Sequence, residues 1–402
     1  MALRGTQVYV LGAGPVGLML TALLQRIEGA SVHLYEKRRE YTRTRMVQLS
    51  PYLVADSVES YRTDYIDGDT IAAVFEPSDL EDGLAFRKAI PADVMSQLGD
   101  WTQGFCPLNE IERSLSDMID AHDSDSVERT TAVVTAEEAI GMIEPGDVLV
   151  DCTGTRSVLR DHLVPGGDGA ENANTLNIRL EYALVITFLY GENYECNEYC
   201  KYYKNEGNER YKFIPAVHRT HYDGGITHVT GIVKISAEEF EAMPPRFDGA
   251  WLRDNFPEVA SSMDRFIDKI KQETNGEIVG DLEIVRIPLN LYRARNATSR
   301  RWLRDDGADH PFAFSPVYLA GDSAIGSPYF QSISLGFECA MVLAGLIAQR
   351  DMPLREVIDR YELYIYKQWL RVYTRSKMIK HNKDLLEVVD DRFALLDLLH
   401  VY

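Results

Sequence analysis

No stretch of this sequence reaches the ~18–20 consecutive apolar residues that a membrane-spanning helix needs. The N-terminus has no charged-then-apolar leader and enters a strand-like run almost at once, so the chain reads as soluble and cytoplasmic. Positive charge is scarce: 42 Lys and Arg face 62 Asp and Glu, a net charge of −20. That balance argues against nucleic acid as a partner, because a phosphate backbone needs clustered Lys and Arg, and against an anionic membrane surface. It leaves room for one locally basic cleft. Cysteine is sparse and unpatterned. The five residues Cys106, Cys152, Cys196, Cys200 and Cys339 include no CxxC pair, although Cys196 and Cys200 lie four apart. This predicts free thiols in a reducing compartment, with neither a disulfide framework nor a zinc site. Internal repeats and low-complexity tracts are absent as well. What remains is ordinary for a globular chain, 45% hydrophobic and 26% charged over 402 residues, long enough for two domains or one interleaved one.

The most informative stretch is QVYVLGAGPVGLMLTALLQRIEGASVHLYE at residues 7–36. An apolar strand at 7–11 runs into Gly12-Ala-Gly14-Pro-Val-Gly17, then a helical pattern at 15–27, then a second strand at 31–35. This is the βαβ context that a GxGxxG turn requires to hold a dinucleotide. Gly12 permits the tight turn, Gly14 lets backbone approach a pyrophosphate, and Gly17 lets the helix pack closely. The helix N-terminus then presents its positive end to the phosphates. Glu36 ends the second strand, where a carboxylate can accept from both ribose hydroxyls and repels a 2′-phosphate. The spacing therefore predicts an unphosphorylated adenosine, in FAD or NAD.

The rest of the chain predicts a discontinuous nucleotide domain. Residues 107–121 read as a helix and 146–151 as a buried strand. Segments 176–190, 210–218, 226–235 and 278–291 are rich in β-branched and aromatic residues and read as a mostly antiparallel sheet. A charged helical stretch at 238–273 interrupts them. A further buried strand at 316–320 precedes long helices at 334–349 and 354–380. The expected fold is α/β: a Rossmann-like domain from 1–75, 103–172 and 292–402, a β-sheet substrate domain from 76–102 and 173–291, and C-terminal helical packing.

Two later segments separate FAD from NAD. The strand PVYLA runs into Gly321-Asp322 and then towards a helix. Glycine lets a ligand approach, and the Asp can bond a ribityl hydroxyl while the following helix N-terminus faces a flavin ring. The second segment is Asp147-Val-Leu-Val-Asp-Cys-Thr-Gly-Thr-Arg-Ser-Val-Leu-Arg160. Together GAGPVG, Glu36, the strand-Gly-Asp and GxxSxLR resemble the FAD-dependent aromatic hydroxylases, the family of p-hydroxybenzoate hydroxylase, in order and spacing over most of the chain. The run Glu36-Lys37-Arg-Arg-Glu-Tyr-Thr-Arg43-Thr-Arg-Met-Val-Gln-Leu49 resembles the EKR…R…L segment of MICAL-type monooxygenases. That likeness places an FAD-contacting arginine at Arg43, with Arg45 the competing choice and a solvated run of five basic side chains in 37–45 the bland alternative.

The resemblance implies FAD held by Gly12, Gly14, Gly17, Glu36, Lys37, Arg43, Gly321, Asp322 and Ser332. It also implies NAD(P)H as reductant, O2 as co-substrate and a flavin C4a-hydroperoxide as oxygenating species. Two positions depart from the family. Thr153 stands where the middle motif has Asp, although Gly154, Ser157 and Arg160 remain, and Ile325 stands where a His is common. Pro328 is kept, and Gln331-Ser332-Ile-Ser334 replaces the Gly-rich turn, with Gly336 just beyond. No catalytic base stands out. His218, His221 and His228 carry no metal-ligand spacing and read as packing or surface residues. The Tyr-rich stretch YECNEYCKYYKNEGNERYKF could line an aromatic pocket, or supply strand tyrosines with wet tips. Trp101, Trp251, Trp302 and Trp369 are too dispersed for the WxWxIP segment of the related halogenases.

The expected function is thus an FAD-dependent monooxygenase acting on a small organic molecule of secondary metabolism. The alternatives are an FAD enzyme of another reaction type (oxidase, reductase, flavin-scaffolded rearrangement or cyclisation), a non-catalytic flavoprotein partner, or an NAD-only dehydrogenase. The acidic, ordinary composition permits a monomer or a homodimer.

Overall fold

The computed structural model describes residues 6–43, 46–57, 90–103, 105–122, 126–164, 172–194, 210–218, 225–303, 311–327, 332–349 and 351–388. Outside them lie Arg45, Cys196, Cys200, His221, Pro328, Gln331, residues 76–89 and most of the Tyr-rich stretch. Contacts divide the chain into two units, Met1–Ile178 with Leu291–Ser376, and Arg179–Asn290 with the chain from Lys377.

Unit 1 is built on a parallel sheet. Strands β1 (Gln7–Leu11), β2 (Ser31–Glu36), β5 (Val127–Thr131), β6 (Val148–Asp151) and β12 (Val317–Leu319) stand in the order β12-β6-β1-β2-β5. A short antiparallel pair, β3 (Met46–Gln48) with β4 (Phe105–Pro107), lies beside it in sequence. In β1 and β2 alternate residues Val8, Val10, Val32 and Leu34 are buried, while Gln7, Tyr9, His33 and Tyr35 occupy the more open face. Helix α1 (Pro15–Leu24) is buried from Gly17 to Leu24, because it packs against both α3 (Leu108–His122) and α8 (Ser332–Ala348). Helix α3 buries Leu108, Ile111, Leu115 and Ile119, a 3–4 spacing that forms one apolar stripe. The α8 helix is apolar all round, and its one buried acid, Glu338, pairs with Arg371 of α9 (Leu354–Val388) at 3.2 Å. Helix α4 (Ala136–Met142) starts on a reciprocal capping box between Thr135 and Glu138.

Helix α2 (Ala92–Thr102), expected with the substrate sheet, belongs to unit 1. Its buried stripe Val94, Leu98 and Trp101 explains this: the Trp101 ring lies 6.3 Å from Phe337 of α8, and Asp93 pairs with Arg26 just beyond α1.

Unit 2 is an antiparallel sheet with helices. Its strands β10 (Arg246–Asp248), β11 (Ile278–Ala294), β7 (Thr175–Tyr190), β9 (Thr227–Ile235) and β8 (Phe213–His218) stand in that order. Chain passes out of unit 1 along β7 and returns along β11. Leu184, Ile186, Phe188 and Tyr190 of β7 join Phe213, Val229 and Val233 in a core closed by Met263, Phe266 and Ile270 of helix α7 (Pro257–Glu273). The stretch expected as one helical run over 238–273 is broken into α5 (Ala237–Ala242), β10, α6 (Gly249–Asn255) and α7. Pro244-Pro245 cannot continue α5, Asp248 caps α6 by accepting from Trp251 N–H at 2.8 Å, and Pro257 opens α7. His218 and His228 are cross-strand partners in β8–β9. Among the described residues no helix is long and apolar enough to cross a membrane, and no His/Cys/Asp/Glu group could hold a metal.

Candidate dinucleotide-binding site

A cavity of about 450 Å³ opens in unit 1 at the carboxyl ends of the parallel strands. Such clefts commonly measure roughly 300–1,000 Å³, and the end of a parallel sheet where strand order reverses is where nucleotides bind. Here the strands leading away from β1 go to β2 on one side and β6 on the other.

The glycine turn is shaped by its neighbours. Gly12 has φ +94°, and a Cβ there would stand 2.8 Å from the Cys152 carbonyl oxygen. Its N–H donates to the Tyr35 carbonyl at 2.7 Å, tying the turn to β2. A Cβ on Gly17 would stand 1.9 Å from the Gly12 carbonyl oxygen. Gly14 differs: a Cβ there would meet only two guanidinium nitrogens, Arg43 Nη2 at 3.7 Å and Arg38 Nη2 at 4.0 Å. It is the open member of the three, and it faces the cavity. No side chain caps α1 and Pro15 sits in its first turn, so the first N–H groups are left for a ligand.

Of the residues expected to hold the cofactor, Gly12, Gly14, Glu36, Lys37, Arg43, Asp322 and Ser332 line this one cavity. Gly17 and Gly321 lie behind it. Gly321 has φ +60°, and a Cβ there would stand 2.9 Å from Val16 Cγ2, so its role is the turn and the close approach to α1. Gly336 of α8 meets the same Val16 methyl, at 2.4 Å from an added Cβ.

One end of the cavity is charged. Burial raises the Glu36 carboxyl, but the Arg38 side chain and N–H, with the Ala13 N–H, outweigh it and hold the acid below its ordinary range. Arg43 pairs with Glu112 of α3, a fully buried carboxylate, and Arg38 stands 3.7 Å from the same oxygen. Ala132, Val133 and Val134, just beyond β5, add an apolar wall. The sequence did not single out Arg38 as a site residue; its signal was only membership of the basic run.

At the other end Asp151 closes β6 and is fully buried. Its carboxylate accepts from Thr153 N–H and Oγ1, Ser157 Oγ, Leu159 N–H and Ser323 Oγ. Thr153 thereby commits its hydroxyl to Asp151, and the same oxygen accepts from Val158 N–H at 3.1 Å. Arg160 donates to the Thr155 carbonyl at 2.6 Å and stacks on the Tyr292 ring with 5.1 Å to its centroid. Tyr292 donates to the Asp322 carbonyl at 2.6 Å. Ile325 is buried in β13 (Ile325–Gly326), paired with Arg293 of β11.

These residues suit an adenine dinucleotide. The open Gly14, the uncapped helix N-terminus and two guanidinium groups are groups that could receive a diphosphate, and Glu36 at the end of β2 is an acid that could accept from a ribose. Residues 5–183 match the family described as FAD binding domain. No curated protein sequence matches the chain. Among solved structures the chain is similar to tetracycline destructase Tet(51), at 11% identity and a TM-score of 0.53 over 94% of this chain and 91% of that one. It is similar also to CmlS, a flavin-dependent halogenase, at 13% identity and a TM-score of 0.51 over 92% of this chain and 63% of that one. At such identities the likeness is one of fold. The match to the FAD binding domain family, that of the p-hydroxybenzoate hydroxylase-like aromatic hydroxylases, spans residues 5–183, the part of the chain that supplies Gly12, Gly14, Glu36 and Arg43 to the cavity.

Proposed function

We propose that this protein is an FAD-dependent monooxygenase that draws electrons from NAD(P)H, uses O2 and oxygenates a small organic molecule of secondary metabolism. The observation that carries the reading is the single cavity gathering Gly12, Gly14, Glu36, Arg43, Asp322 and Ser332 from sequence positions more than three hundred residues apart. Gly14 and the N-terminus of α1 receive the diphosphate, Arg43 and Arg38 neutralise it, and Glu36 accepts from the adenosine ribose. Asp322 and Ser332 take the opposite end. Bound FAD would supply hydride acceptance and oxygen activation; the chain supplies binding, orientation and exclusion of water.

A second reading is favoured by Thr153. In the family that the chain resembles, the Asp at this position is associated with binding both FAD and the reduced nicotinamide cofactor, and here the replacing hydroxyl is spent on Asp151 and Val158. An FAD enzyme that does not take electrons from NAD(P)H fits that geometry.

Adding NADPH or NADH to the FAD-loaded protein in air, with peroxide assayed alongside, separates the two. Bleaching of the flavin bands and their return with oxygen supports the monooxygenase. Flavin that ignores both nucleotides but accepts electrons from dithionite supports the second reading.

A further inference from the structure

The loop after β6 and the turn after β12 are 170 residues apart in sequence, yet both contribute walls to the cavity, through Thr153, Gly154, Arg156 and Val158 on one side and Asp322 on the other. A single buried carboxylate joins them. Asp151 Oδ1 accepts from Thr153 N–H at 2.8 Å, Thr153 Oγ1 at 2.6 Å and Ser323 Oγ at 3.0 Å. Its Oδ2 accepts from Ser157 Oγ at 2.6 Å and Leu159 N–H at 2.8 Å. All of these donors are neutral, two backbone N–H groups and three hydroxyls. A buried charge held this way is tolerable only while its donors stay in place, so it fixes their positions.

Four of the five donors come from the β6 loop itself. Only Ser323 crosses to the other segment. The Ser323 hydroxyl also accepts from Gly154 N–H at 3.0 Å, so one side chain touches both the carboxylate and the backbone of the facing loop. Ser323 directly follows Asp322, whose carbonyl is held from another direction by Tyr292.

We propose that Asp151 and Ser323 are positioning residues of the cofactor site, acting through Asp322 and the Thr153–Gly154 backbone to set the width of the cavity at the end away from Glu36. The carboxylate that the family places at position 153 is absent. A carboxylate two residues earlier, inside the strand end, organises the same loop from beneath. This inference rests on the FAD reading of the cavity.

The test compares FAD with ADP, which shares only the Glu36 end. Ser323→Ala, Ser157→Ala and Asp151→Asn are measured beside the parent, FAD by fluorescence quenching and ADP by calorimetry. Ser323→Ala should weaken FAD about tenfold, the loss expected for one hydrogen bond to a charged group, and change ADP less than twofold. Ser157→Ala, which removes a bond inside one loop, should weaken FAD less than Ser323→Ala. If Asp151→Asn folds, it should weaken FAD at least as much as Ser323→Ala, because its amide keeps one acceptor oxygen and cannot satisfy all five donors. The proposal is overturned if Ser323→Ala binds FAD like the parent, if it weakens ADP as much as FAD, or if Ser157→Ala matches it. A parent that binds ADP but no FAD would instead sink the FAD reading itself.

Discussion

The Arg38 guanidinium and the Glu36 carboxylate form a two-point pair at the end of β2, Nε to Oε1 at 3.0 Å and Nη2 to Oε2 at 3.3 Å. The Arg38 N–H adds a third bond to Oε1 at 2.9 Å. The acid that closes the βαβ unit is therefore oriented and charge-balanced, and the guanidinium that balances it also reaches over Gly14.

Replacing Glu36 with Gln should weaken FAD by about tenfold or more, because a charge-assisted bond becomes a neutral one. The acid's pKa is lowered in the fold from its ordinary 4.5. Its contribution to stability is thus fully present above about pH 4.5 and is lost as pH falls through the lower folded value. Urea midpoints of parent and Glu36→Gln should differ by a constant amount from pH 7 to pH 5 and converge below. A gap that widens towards acid pH would contradict the assignment.

Arg43→Gln should cost both ligand affinity and stability. It leaves Glu112 buried with only Arg38 nearby, at 3.7 Å. Arg43 itself is 43% exposed, so the loss is expected at about 1–3 kcal/mol rather than that of a fully buried pair. Adding Glu112→Gln should restore part of the stability but not the affinity for ADP. Recovery of both in the double variant would show that Arg43 serves the fold alone.

Glycines in and away from the cofactor turn should respond with opposite signs. Gly17→Ala places a methyl 1.9 Å from a backbone oxygen and should abolish FAD binding or folding. Gly99→Ala lies inside α2 with nothing within 4 Å of the added carbon, and should stabilise by about 0.5–1 kcal/mol. Thermal melts of the two variants check this directly.

The thiol of Cys106 is pushed up to about 12 by burial and by Glu110, which accepts its S–H at 3.8 Å. At pH 8 it should carry roughly a thousandfold less thiolate than a thiol of pKa 9 and alkylate correspondingly slowly. Peptide mapping after timed iodoacetamide treatment measures it; labelling at the rate of free cysteine would contradict the burial.

The β1–α1–β2 unit was legible because its signals are local. The strand alternation, the glycine spacing and the acid at the strand end all fall within thirty residues, and Glu36 closes β2 as the pattern required. The Gly321 turn was legible for the same reason. Arg38, Asp151 and Ser323 were not, since nothing in the basic run favours Arg38 over Arg39. The tie from Asp151 to Ser323 spans 172 residues, which no local pattern shows. The placement of Ala92–Thr102 failed similarly, because it depends on Trp101 meeting Phe337 across more than two hundred residues. The breaks between α5, α6 and α7 were present in the sequence as Pro244, Pro245 and Pro257, masked by the charged helical composition around them.

The most direct test of the central claim is the visible absorption spectrum of the purified protein after incubation with FAD and removal of free cofactor. The account predicts oxidised-flavin bands at close to one FAD per chain, displaced by excess ADP and lost in Gly17→Ala. A colourless protein that retains no flavin would contradict it.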